Sequence, residues 1–199
     1  MAEKTIAMSL SGVLISSKAW KQEHETGMKE LAEKSGIFEI AEKTDDENYF
    51  QYVEKALEKI YPDLNREERI AKRRRIYFSR VIKMIKNHHE YIKEDIIKFF
   101  KSIKHKYNLI LITTTIDDVV SEVLDIIKAR DLFDFVSASK DIENDDKSIV
   151  FQRAIDKYNI DRFIGSSKSR EICEKHDIEF LKFDCDADSL NVLKNAIDF

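Results

Sequence analysis

The stretch IAMSLSGVLISS, residues 6–17, decides how the rest of the chain is read. KTIAMSL reads as a short buried strand, from its length and its polar flanks. The strand runs out into Ser9-Leu10-Ser11-Gly12-Val13-Leu14. Glycine is scarce, four in 199 residues, and proline occurs once, so each position is informative. Gly12 and Gly165 each follow a short apolar run, where a backbone turns sharply or approaches a ligand closely. Gly36 follows an amphipathic run and reads as a helix C-cap, with Gly27 inside the same helical region.

Outward from that strand the pattern changes period. From about Lys18 to His89, apolar residues such as Leu31, Val53, Leu57, Ile60, Ile70, Val81 and Ile85 recur at helical spacing. Thr44-x-x-Glu47 ahead of Tyr49-Phe50 fits a capping box. Pro62 separates two helices. Beyond His89 the chain alternates. Helices are expected over about 93–105, 117–128, 147–158, 168–176 and 187–197, and the strands between them are NLILITTT, FDFVSAS, RFIG and IEFLKF. Such alternation means a parallel sheet covered on both faces. The expected fold is α/β: a three-layer, Rossmann-like, five-stranded parallel sheet with a helical segment inserted after the first strand. Residues 1–17 and 93–199 form the core and 18–92 the insertion. In such sheets ligands bind outside the C-terminal strand ends. Ser9 and Ser11, Thr113 to Thr115, and Gly165 to Ser167 are therefore expected to converge.

Composition narrows the classes. The formal net charge is −4, so bulk charge does not mark a polyanion binder. Hydrophobic residues at 43% and charged residues at 36% suit a folded globular chain with exposed helices. Cys173 and Cys185 have no CxxC spacing and no evident metal partners, which reads as reduced intracellular thiols. No secretory leader pattern opens the sequence and no apolar run nears 18 residues. The expectation is a cytoplasmic protein without a membrane segment.

With these strand ends placed, the sequence resembles the haloacid dehalogenase-like superfamily. That family's first motif is a strand ending in Asp-x-Asp-Gly-[Thr/Val]-Leu. Ser9-Leu10-Ser11-Gly12-Val13-Leu14 matches it, with serine at both acid positions. The resemblance puts Ser9 at the nucleophile and Ser11 at the general acid and base. LILIT ends at Thr113, similar to the family's phosphate-oxygen donor. Lys147 in DDKSIVFQRAI fits the family lysine by place, without the usual following proline. The fourth motif, Gly-Asp-x-x-x-Asp, corresponds to Gly165-Ser166-Ser167-Lys168-Ser169-Arg170. Apart from that proline, every departure falls on an acid: Ser9, Ser11, Ser166 and Arg170. The helical segment takes the place of the family's cap.

The missing acids set the functional expectation. Mg²⁺ takes carboxylate, phosphate and water oxygens, so with Ser9, Ser166 and Arg170 at the family's metal positions no metal and no cofactor are expected. A serine nucleophile needs an adjacent base. His24, His105 and His176 are not placed for it, although His24 opens the insertion. Thr113, Thr114, Gly12, Lys147, Gly165, Ser166 and Ser167 are the expected phosphate-binding groups. Lys168 and Arg170 add charge, and the N–H groups after Gly165 open a helix. The leading expectation is a non-hydrolysing protein that binds inorganic phosphate, a phosphorylated small molecule or a protein partner. One alternative is an active hydrolase using a serine or relocated acids, with Asp117, Asp118 and the acids of 141–146 as candidates. Those acids also suit helix caps. Another alternative is binding of nucleic acid or an acidic protein through residues 66–89, which carry nine Lys/Arg and two Glu. Arg73-Arg74-Arg75 cannot form one face on a helix, so this segment reads as solvated and nucleic acid is disfavoured. Asp184-x-Asp186-x-Asp188 lacks the Gly and Glu of a calcium loop and reads as turn and helix-capping acids. Tyr49, Phe50, Tyr77, Phe78, Phe99 and Phe100 read as core aromatics.

Overall fold

The computed structural model describes residues 4–42, 49–140 and 146–197, without the side chains of residues 49 and 50. Strand β1 (Lys4–Met8) is followed by helices α1 (Ser17–Ser35), α2 (Glu39–Glu42), α3 (Tyr49–Ile60) and α4 (Arg66–Asn87). Then come α5 (Glu94–Ile103), β2 (Tyr107–Ile116), α6 (Asp117–Ile126), β3 (Phe135–Ser139) and α7 (Lys147–Ile155). The chain closes with β4 (Arg162–Gly165), α8 (Arg170–Lys175), β5 (Glu179–Lys182) and α9 (Leu190–Ile197). The five strands form one sheet in the order β3-β2-β1-β4-β5, and every pairing is parallel. The α/β, Rossmann-like architecture expected from the sequence is the one observed.

The sheet is apolar on both faces because alternate residues feed two separate cores. Ile6, Met8, Leu109, Leu111 and Ile164 pack on one side with α4, α5, α6 and α9. Ala7, Ile110, Ile112 and Phe163 pack on the other with α7 and α8. β1 lies between β2 and β4, so the strand order reverses there, and its C-terminal end is the natural crevice of such a sheet.

The loop leaving β1 is tightly held. Gly12 has φ +80°, a conformation that favours glycine. Its N–H bonds Ile15 O at 2.8 Å and its carbonyl accepts from Cys185 N at 2.8 Å. Leu10, Val13, Leu14 and Ile15 are fully buried beneath it. Ser16 then caps α1, accepting from Lys18 N. Gly36 ends α1 in the left-handed conformation, as expected. The Thr44–Glu47 capping box lies outside the described residues. A capping box does form at α4, between Asn65 and Glu68, past the Pro62 break.

The inserted helices have a small core of their own, built on Met28, Ile40, Val53, Ala56 and Leu57. α4 serves both units. Its second half, through Phe78, Val81, Ile82 and Ile85, joins the large core against the sheet. The three consecutive arginines of α4 diverge. Arg73 reaches Met28 Sδ, and Arg75 pairs with Asp118 at 3.5 Å. Arg74 is 3% exposed and donates to Thr114 O at 2.7 Å. The expectation of a wholly solvated basic helix is therefore corrected at Arg74, whose position faces the sheet and finds a strand-end carbonyl there.

A Cβ on Gly165 would meet Ser9 Oγ at 2.6 Å and Phe163 Cε1 at 2.7 Å, whereas one on Gly27 meets nothing. Gly165→Ala should lower stability by about 1–3 kcal/mol through overpacking. Gly27→Ala, inside α1, should raise it by about 0.5–1 kcal/mol. Urea midpoints of the two variants check this.

Candidate functional site

At the C-terminal edge of β1, β2 and β4 lies a cavity of about 530 Å³. Ser9, Ser11 and Gly12 line it from the β1 loop, and Thr113 and Thr114 from β2. Lys147 enters from the start of α7, and Ser166 and Lys168 from the turn after β4. Seven of the residues expected to bind or react thus share one cavity. Gly165 and Ser167 do not line it. Gly165 acts one layer below, by leaving room for Ser9. Arg170 turns away, its guanidinium 5.4 Å from the Phe180 ring centre.

Each polar group is positioned by a nearby bond. Ser9 N–H donates to Ile164 O at 3.0 Å, tying the end of β1 to β4. The Thr113 hydroxyl accepts from Thr115 N and donates to Thr115 Oγ1, both at 3.1 Å. Thr114 O is held by Arg74. Lys147 Nζ donates to the buried Ser169 hydroxyl at 2.9 Å. Burial, and then the nearby Lys168 ammonium, push the Lys147 pKa below its ordinary value. The surroundings are dry enough that burial takes the Cys173 thiol up to about 11. Among the described residues, no carboxylate lies within ion-pair distance of Lys147 or Lys168.

The expected helix N-terminus after Gly165 is less than a full seat. Residues Ser167–Ser169 form a 3-10 turn, and α8 has only six residues. So short a helix sums few peptide dipoles. The lysines, not the helix end, carry the positive potential here.

Those of the expected replacement acids that are described stand outside the cavity. Asp118 pairs with Arg75, and neither it nor Asp117 lines the cavity. Asp146 caps α7, accepting from Ser148 N at 2.8 Å and Ser148 Oγ at 2.6 Å, and these bonds hold its carboxyl below the usual range. Residues 141–145 lie outside the described residues. No histidine lines the cavity among the described residues. His24 packs edge-on to Tyr77 with ring centres 6.4 Å apart.

Sequence reasoning missed two contributors. Asp184, after β5, lines the cavity. Ser17, Trp20, Tyr77 and Phe78 reach it from the inserted helices. Asp184 belongs to a turn closed by its own neighbours: its carboxylate accepts from Asp186 N, and its N–H donates to Asp188 Oδ2. Asp186 accepts from Ser16 Oγ at 2.6 Å and pairs with Lys93 at 3.1 Å. Burial opposes its ionisation, but those two partners outweigh it and hold its carboxyl below the usual value. Cys185, with its thiol pushed up to about 12 by burial, completes a group whose donor atoms lie within 4.8 Å of one another. With Asp186 engaged by Ser16 and Lys93, the group works as a staple between the β1 loop and the end of the sheet.

Several cations of α4 pair with acids of neighbouring helices. Arg66 pairs with Glu54, Arg80 with Glu30 at 2.7 Å and Lys86 with Glu122 at 2.7 Å. No helix among the described residues is long and apolar enough to cross a membrane.

Comparison with known proteins agrees with this fold. The model of the haloacid dehalogenase-like hydrolase family matches residues 17–164, a stretch lying between the β1 and β4 loops. Among solved structures, β-phosphoglucomutase from Clostridium difficile aligns with TM-score 0.64 and 14% identity, over 97% of this chain and 96% of that one. CbbY from Rhodobacter sphaeroides, in complex with phosphate, aligns with TM-score 0.58 and 13% identity, over 90% and 85%. A family enzyme from Bacteroides thetaiotaomicron, in complex with magnesium and inorganic phosphate, aligns with TM-score 0.51 and 16% identity, over 96% and 99%. At such identities the likeness is one of fold. A search among curated proteins returns no match.

The depressed Lys147 pKa makes a stability prediction. At neutral pH the native state holds an ammonium it disfavours, so Lys147→Met should stabilise the ligand-free protein. Between the depressed pKa and the ordinary value of 10.5 the unfolded chain binds the extra proton. Stability of the parent should therefore rise with pH across that window and the gap to Lys147→Met should narrow. Thermal unfolding at a series of alkaline pH values checks the sign.

Proposed function

The chain belongs to the haloacid dehalogenase-like hydrolase family, and from that premise we propose that it binds phosphate or a phosphorylated small molecule without hydrolysing it by the family's aspartate route. The observation that carries this reading is the meeting of Lys147 and Lys168 with the hydroxyls of Ser9, Ser11, Thr113 and Ser166 on one cavity. Two ammonium groups and several hydroxyl donors favour an anion. The positions that resemble the nucleophile and the acid carry serine. A serine becomes a nucleophile when a base stands within hydrogen-bond reach, and the histidine that would serve is not among the described lining residues. Residues 18–92 act as the cap over this site.

The donor set does not fit a resident Mg²⁺. That ion usually takes one or two carboxylates with phosphate and water. Ser9 and Ser166 offer neutral hydroxyls, Arg170 turns to Phe180, and two lysines bring like charge. Asp184 is the one observation favouring a second reading, in which a relocated carboxylate restores metal-assisted hydrolysis.

Calorimetric titration with inorganic phosphate separates the two. The anion-site reading expects binding without Mg²⁺, a loss of about tenfold or more in Lys147→Ala, and tighter binding in Asp184→Asn, where a repelling charge is gone. Mg²⁺ that tightens phosphate binding in the parent, with the gain lost in Asp184→Asn, would select the second reading instead.

A further inference from the structure

The cavity has more room and a different wall than an inorganic anion needs. At about 530 Å³ it is sized for a small organic molecule. Its floor is the polar sheet edge, and its wall comes from the inserted helices. Those helices contribute Ser17, Trp20, Tyr77 and Phe78, none of them charged. The Tyr77 hydroxyl donates to Trp20 O at 3.1 Å, so this residue presents its ring to the cavity with its polar end engaged. The same bond fixes α4 against α1. The Phe78 ring centre lies 5.0 Å from that of Tyr77, and Phe78 is buried. The Ser17 hydroxyl donates to Asp186 Oδ2 at 3.4 Å.

We propose that the site takes a phosphate monoester whose organic part is an uncharged aromatic group, seated against Trp20 and Tyr77 while the phosphate lies at Lys147 and Lys168. This rests on the anion-site reading above and adds the class of ligand. A polyhydroxylated group would bury less apolar surface against Trp20 and Tyr77 than a flat aromatic one. A carboxylate at the distal end would meet no cation among the described lining residues of the inserted helices. A flat aromatic group buries apolar surface and stacks on rings already held in place.

Trp20 is the only tryptophan of the chain, so its fluorescence reports on this wall alone. Phenyl phosphate, glycerol 1-phosphate and inorganic phosphate are titrated into the full chain, by fluorescence and by calorimetry. Phenyl phosphate should quench Trp20 and bind about tenfold tighter than glycerol 1-phosphate. Trp20→Leu should erase that preference, weakening phenyl phosphate about tenfold more than glycerol 1-phosphate, while Trp20→Phe keeps most of it. Equal affinity for the two esters, with both weakened by Lys147→Ala, would overturn the aromatic assignment and leave the anion site standing. A Trp20→Leu loss equal for both esters would overturn it also. Failure of all three phosphates to bind would remove the anion-site reading, and this inference with it.

Discussion

The structure depends on how closely the ends of β1 and β4 approach each other at the reversal of strand order. Ser9 N–H is bonded to Ile164 O, and Gly165 gives up its side chain so that Ser9 Oγ can stand there. A methyl group in that place would collide with both Ser9 and Phe163. This constraint brings the loop after β1 and the turn after β4 onto one cavity. Lys147, from the neighbouring α7, then completes the charge. Ser16 and Lys93 hold Asp186, in the turn after β5, so the same edge of the sheet is tied to the β1 loop a second time.

Electrostatics then decide what the cavity can do. A scaffold that resembles a metal-assisted phosphoryl-transfer site needs carboxylates to counter the metal and the lysine. Here the lysine remains, a second one stands beside it, and burial works against the charge of Lys147. An incoming anion relieves that burden. The two effects point the same way: the ligand-free site carries a disfavoured charge, and the proposed phosphate group would offset it. Asp184, the one carboxylate among the described lining residues, would oppose an anion without supplying the paired oxygens that a resident Mg²⁺ would seek.

The fold was largely legible because the strands are buried on both faces and so appear as short continuous apolar runs. RFIG is β4 residue for residue, and NLILITTT lies within β2. Helix ends drifted by a few residues, as at α7, which stops at Ile155 where periodicity continues to Tyr158. The site was legible where a residue sits at a strand end: Ser9, Ser11, Gly12, Thr113, Thr114, Lys147 and Ser166. It was not legible where placement depends on tertiary packing. Arg74 reads locally as one of a solvated cluster, and only the docking of α4 on the sheet sends it to Thr114 O. Tyr77 and Phe78 have core spacing, and periodicity does not separate a core face from a cavity wall. Asp184 was hidden in a run of acids whose resemblance to a calcium loop failed, and its signal was only its position after the last strand. Ser167 and Arg170 matched by spacing, but the turn after β4 points them outward.

The measurement that reaches the central claim most directly is hydrolysis of a generic aryl phosphate by the pure protein, with and without Mg²⁺, against Ser9→Ala. The account predicts no turnover above that of Ser9→Ala under either condition, from a protein that still binds phosphate. Turnover that disappears in Ser9→Ala would mean that serine acts in the nucleophile's place. Mg²⁺-dependent turnover that survives Ser9→Ala and disappears in Asp184→Asn would mean that a relocated acid restores the metal chemistry. Either result would contradict the account.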